Sequence, residues 1–72
     1  MQVQKDEIRN RILGAATDEF YQYGFKDASV RRIAENAGVT PGNIYAYFKG
    51  KDALFSHIIN QTMEHLNRFI FE

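Results

Sequence analysis

Between Ser29 and Phe48 the chain has room for two short helices and only two or three residues to join them. Ser29 and Thr40 are both residues whose hydroxyl accepts from an orphan amide of a first helical turn. Pro41, the chain's only proline, has the fixed φ that suits the position directly after such a cap. Before the join, Val30, Ile33, Ala34 and Ala37 recur at helical spacing, and after it Ile44 and Phe48 do the same. Gly38 stands where the chain must reverse, and glycine takes the positive φ of a sharp turn without penalty. Ala34 is small where two helices would cross closely, and Ile33, Val39 and Ile44 are the apolar residues that would lock them at a fixed angle. Two short helices joined by Ala37-Gly38-Val39 have the grammar of a helix-turn-helix. One position breaks the pattern. Arg32 sits where a capping box would put glutamate, so the reciprocal bond to the Ser29 amide is expected to be missing.

The flanks are helical too. Ile8, Ile12, Leu13, Ala16 and Phe20 form one stripe of an amphipathic helix from Lys5 to Tyr23. Gly24-Phe25 reads as a left-handed cap, with Phe25 folding back on Phe20. Gly50 can cap a fourth helix carrying Leu54, Phe55, Ile58, Ile59, Met63, Leu66, Phe69 and Ile70. The expectation is therefore one all-α domain over residues 1–72, with helices at 5–23, 29–37, 41–48 and 51–72. Three helices pack around Ile12, Phe20, Ile33, Ile44, Phe48 and Phe55, and the fourth leads away. Phe69-Ile70-Phe71 would expose apolar rings to water, so the natural chain is expected to continue into a C-terminal domain absent here.

Composition narrows the function. At 72 residues the chain is one domain, and a domain of roughly this size buries only about 60% of its unfolded surface. No cysteine is present, which excludes disulfides and thiolate metal sites and fits a cytoplasmic protein. The apolar runs are too short to span a membrane, and the first ten residues lack a signal-peptide core. His57 and His65 lie eight apart on the fourth helix, not at the four-residue spacing of a helical metal pair, so no metal or cofactor is expected. Ser29 and Ser56 have no base beside them in sequence, and no catalytic residues stand out.

Net charge is zero, yet it is unevenly spread. Residues 26–51 carry Lys26, Arg31, Arg32, Lys49 and Lys51 against Asp27 and Glu35, a sum of +3, while residues 1–25 sum to −1 and residues 52–72 to −2. A chain of zero sum can still present one basic face. Projected at about 100° per residue, Ile44, Phe48 and Pro41 fall on one side of the third helix. Ala46 lies opposite with Gly42 and Asn43 on its shoulders, and Tyr45 and Tyr47 stand on the flanks. Short residues along the middle would let the backbone approach base edges, and flanking hydroxyls would reach phosphates.

The run from Ile12 to Ile59 resembles the DNA-binding domain of tetracycline-repressor-family (TetR-like) transcriptional regulators. The matching pieces include Ile12-Leu13, Ala15-Ala16, Phe20, Gly24-Phe25, Ser29-Val30, Ile33-Ala34, Ala37-Gly38-Val39, Gly42-Asn43-Ile44-Tyr45, Tyr47-Phe48, Lys51-Asp52 and Leu54-Phe55, in order. The resemblance implies that the third helix enters the major groove and that Lys51 contacts phosphate. It also implies that Tyr45, Tyr47 and Ser29 touch the nucleic-acid backbone. A homodimer on a palindromic operator is implied, with a small-molecule effector bound by the absent C-terminal domain. Ala46 is small for the family, which leaves a thymine-methyl contact as its base readout. Gly50 replaces a commoner serine or threonine.

The expected DNA-binding set is Ser29, Arg31, Thr40, Pro41, Gly42, Asn43, Tyr45, Ala46, Tyr47 and Lys51. Asn43 matches adenine bidentately but could equally be a solvated first-turn residue, and Arg31 could be plain surface. The rival function is a protein-interaction module whose helix-turn-helix holds a partner helix. An enzyme is the distant third reading.

Overall fold

The computed structural model describes the backbone of residues 5–71 and the side chains of residues 5–64 and Leu66. Among these residues there are four helices and no strand: α1 (Lys5–Asp27), α2 (Val30–Ala37), α3 (Pro41–Tyr47) and α4 (Lys51–Phe71). The expected exposure of the Phe69, Ile70 and Phe71 rings, and the placement of the His65 side chain, lie outside the described residues.

Each start and stop has a local cause. Ser29 Oγ accepts from the Arg32 amide at 3.2 Å and Thr40 Oγ1 from the Asn43 amide at 3.1 Å. The helix-turn-helix join is a Schellman motif: the Val39 amide donates to Ala34 O at 3.0 Å and the Gly38 amide to Glu35 O at 3.2 Å. Gly38 is left-handed there, with φ 74 and ψ 31. α1 carries a break at Gly24, whose φ of 76 and ψ of 172 belong to an extended positive-φ region rather than to the left-handed cap expected. Phe25 nonetheless turns back on Phe20, with ring centroids 5.9 Å apart.

The core is small. Ile12 and Ala16 of α1, Ile33, Ala34 and Ala37 of α2, Ile44 of α3 and Leu54 of α4 are buried, and Phe20, Val39, Tyr47 and Phe48 close over them. α1 packs against both α2 and α4, and α3 against α2. The register of α4 differs from expectation by one residue. Leu54 is fully buried, while Phe55 is 36% exposed and meets Phe20 and Phe25 edge-on at 5.2 Å each. Leucine suits the closed space between α-helical ridges, and the larger ring takes the rim. Beyond it, Ile59, Met63 and Leu66 are exposed along α4.

Candidate nucleic-acid interface

α3 is anchored from beneath by Ile44, which is fully buried, with Tyr47 packed against the core at its end. Pro41, Gly42, Asn43, Tyr45 and Ala46 are exposed, and Tyr47 and Phe48 are half-buried. Gly42, Asn43 and Ala46 form a low ridge with the Tyr45 ring standing beside it.

No neighbour within the domain requires Gly42 to be glycine. Its φ is not positive, and a Cβ built there would meet nothing closer than Thr40 Oγ1 at 3.7 Å, an ordinary contact. Glycine in a helix is less favourable than alanine by about 0.5–1 kcal/mol, and the fold gains nothing visible in return. Asn43 is pre-set by its neighbour. The Thr40 hydroxyl donates to Asn43 Oδ1 at 2.8 Å while accepting from the Asn43 amide, so the side-chain amide keeps both N–H donors and one carbonyl lone pair for an outside partner.

The basic residues are arranged less simply than their count suggests. Arg32 Nε donates to Glu19 Oε2 at 2.8 Å, its Nη2 lies 2.7 Å from the same oxygen, and that Nη2 also donates to Asp27 O at 3.0 Å. The guanidinium stacks on Tyr23, 4.0 Å from the ring centroid. Lys51 is turned inward as well. Its Nζ donates to Phe25 O and Lys26 O at 2.8 Å and to Ala28 O at 3.2 Å, and lies 4.9 Å from the Phe25 ring centroid. All three donors of the ammonium clasp carbonyls of the segment after the Gly24 break, which ties the start of α4 to the end of α1. Arg31 is exposed.

Glu19 is the residue that sequence reading missed. It is 2% exposed, and its Oε2 also accepts from the Ser29 amide at 2.9 Å. The reciprocal capping bond expected to be absent is thus made, but from α1 rather than from within α2. A signal existed: Glu19 falls on the apolar stripe three residues after Ala16 and seven after Ile12, and a carboxylate buried there needs a partner. Burial would raise its pKa. Hydrogen bonds from Arg32 and the Ser29 amide, together with the guanidinium's charge, outweigh burial and hold the carboxyl below its ordinary range.

Lys51→Gln separates the two roles open to that lysine. Loss of the clasp should lower the melting temperature by about 4–8 °C, the equivalent of about 1 kcal/mol in a domain of this size. The salt dependence of any DNA binding should move by less than one phosphate. An unchanged melt with a full-unit loss of slope would give Lys51 to the phosphates instead.

Among the described residues no group of three or more histidines, aspartates and glutamates could hold a metal ion, and no helix is long and apolar enough to cross a membrane. The fold and its outward second helix define a helix-turn-helix domain. The family model for bacterial regulatory proteins of the tetR family matches residues 12–58, and the chain belongs to that family. It is 40% identical over 64 residues to the HTH-type transcriptional regulator UidR of Escherichia coli K12, covering 89% of this chain and 33% of that protein. It is 45% identical over 53 residues to the uncharacterized HTH-type transcriptional regulator YdgC of Bacillus subtilis, covering 74% and 27%. Against RutR of E. coli K12, another HTH-type transcriptional regulator, identity is 39% over 56 residues, covering 78% and 26%. The chain thus spans a third or less of the length of these relatives. No solved structure matches it.

Proposed function

We propose that this domain binds double-stranded DNA by inserting α3 into the major groove, as the DNA-reading part of a transcriptional regulator. One observation carries the reading: Gly42, Asn43 and Ala46 stand exposed over a buried Ile44. That low ridge allows the helix backbone to come close to base edges. Asn43 offers donors and an acceptor to an adenine edge, Ala46 a methyl contact, and Tyr45 and Tyr47 hydroxyls for the walls. Thr40 and Pro41 open the helix at the same face, and Ser29 and Arg31 belong to the start of α2. These contacts divide into base readout by α3 and positioning on the phosphates by its surroundings. Lys51 contributes as the clasp that fixes α4 to the end of α1.

The relatives' description as transcriptional regulators supports this class of function. The whole protein is read as a cytoplasmic homodimer on a palindromic operator, with half-sites spaced by the dimer. Release by a small-molecule effector, bound outside this domain, makes it a repressor. It has no catalytic role in this reading.

Gly42→Ala tests it with two opposite signs. The melting temperature should rise, because replacing glycine at a compatible position stabilises by about 0.4–1 kcal/mol. Binding to duplex DNA should weaken, because the added methyl stands on the ridge that approaches the bases. Wild-type affinity should fall linearly in log salt, by about 0.9 per phosphate neutralised. A partner helix docked on the same face would show no such slope. Gly42→Ala that binds DNA as tightly as wild type would remove α3 from the groove.

A further inference from the structure

The basic side chains that the DNA backbone requires are not those of α2 and α4 alone. Arg32 is tied to Glu19, and Lys51 is spent on three carbonyls. We infer that the N-terminal part of α1 is a second DNA-contacting element, with Arg9 and Arg11 binding phosphates at the two ends of α3. The proposal rests on α3 being the groove helix.

The geometry comes from how α1 crosses the motif. Ile12 is fully buried and Ile8 packs against the core, and Ile8 also lines a depression with Gly38, Val39, Thr40 and Asn43, which sets this stretch of α1 beside the turn and the start of α3. Residues 9 and 11 leave the buried stripe on opposite sides, about 200° apart around the helix. Arg9 therefore splays toward the end of α3, where its guanidinium carbon lies 5.9 Å from the centroid of the Tyr47 ring. Arg11 splays toward the beginning. Its Nη2 lies 3.1 Å from the position a Cβ would take on Gly38, and it lines an open depression with Val39, Thr40 and Asn43.

Both arginines are exposed, and among the described residues neither forms an ion pair; the one pair present is Arg32–Glu19. Asp18 and Glu35 border the far side of Arg11 without closing one. Asn43 and Tyr47 are one turn apart on the same flank of α3, a rise of about 6 Å. Every nucleotide of a duplex carries a phosphate, so two cations held at opposite ends of a groove helix have separate phosphates to meet. Guanidinium suits the task, since its planar fork pairs two donors with a phosphate.

The test is a salt titration of the protein against a mixed-sequence DNA duplex, where affinity is almost wholly backbone contact. Arg9→Ala with Arg11→Ala should lower the slope of log affinity against log salt by about 1.8, two phosphates' worth, with an unchanged thermal melt. Arg9→Lys with Arg11→Lys should restore it. If the alanine pair melts early, the glutamine pair, which removes the charge but keeps part of each side chain, gives the same reading. A wild-type slope left intact in the alanine or glutamine pair overturns the role of α1 and leaves α3 in the groove. A wild-type protein that shows no salt-dependent binding overturns both.

Discussion

Gly38→Val should abolish the cooperative thermal melt of the domain. Gly38 has φ 74 and ψ 31, the left-handed region, where an L-residue is disfavoured by about 1–2 kcal/mol and a β-branched residue by more. Space is not the obstacle. The nearest atom to an added Cβ is the far end of the Arg11 side chain at 3.1 Å, which can swing away. The strain is in the backbone, and it cannot relax without breaking the two amide bonds to Ala34 O and Glu35 O that close the turn. Those bonds set where Val39 enters the core and where Thr40 starts α3, so losing them frees the whole recognition helix. A single core at this length supplies only about 3–5 kcal/mol, leaving little reserve. Gly38→Asn is the control, because asparagine tolerates the left-handed region. It should keep a cooperative melt at reduced temperature. A valine variant that melts like wild type would mean that the turn is not held by this geometry.

What could be read from the sequence was what is decided locally. Ser29, Gly38, Thr40 and Pro41 each act within four residues, and each does in the structure what its chemistry suggested. The outward face of α3 was legible for the same reason, since a helix with Ile44 beneath must turn Gly42, Asn43 and Ala46 away. Two apolar neighbours such as Leu54 and Phe55 offer no local basis for choosing between them, and α4 settled on the smaller. Partners distant in sequence were the other blind spot. Glu19 finds Arg32, 13 residues on, and Lys51 reaches back to Phe25, 26 residues away. Both bonds turn charge inward that a count along the chain assigns to the surface. The same count hid Arg9 and Arg11, because their segment also holds four acids and sums to −1. Charge summed by segment says little about which face a side chain joins.

Glu19→Ala should lower the melting temperature by on the order of 10 °C, and the loss should depend on pH. The alanine leaves the Ser29 amide without its acceptor at a half-buried position and releases Arg32 from Glu19. An unsatisfied buried donor costs about 1–3 kcal/mol, and each kcal/mol moves the midpoint of so small a domain by about 4–8 °C. The pH dependence follows from the direction of the Glu19 shift. Its carboxyl is held below the ordinary value in the folded chain, so the folded state favours the ionised form more than the unfolded state does. That stabilisation is complete above the unfolded value of about 4.3 and is lost as pH falls through the lower folded value. Glu19→Gln isolates this part, since a glutamine oxygen in the place of Oε2 still accepts from the Ser29 amide and from Arg32 but carries no charge. In urea titrations the wild-type midpoint should exceed that of Glu19→Gln clearly at pH 7. The gap should narrow steadily as pH drops below about 4.3. A gap of the same size at both ends of that range would show that the carboxylate's charge has no part in fixing α2 to α1, and that Arg32 stacks on Tyr23 for its own sake.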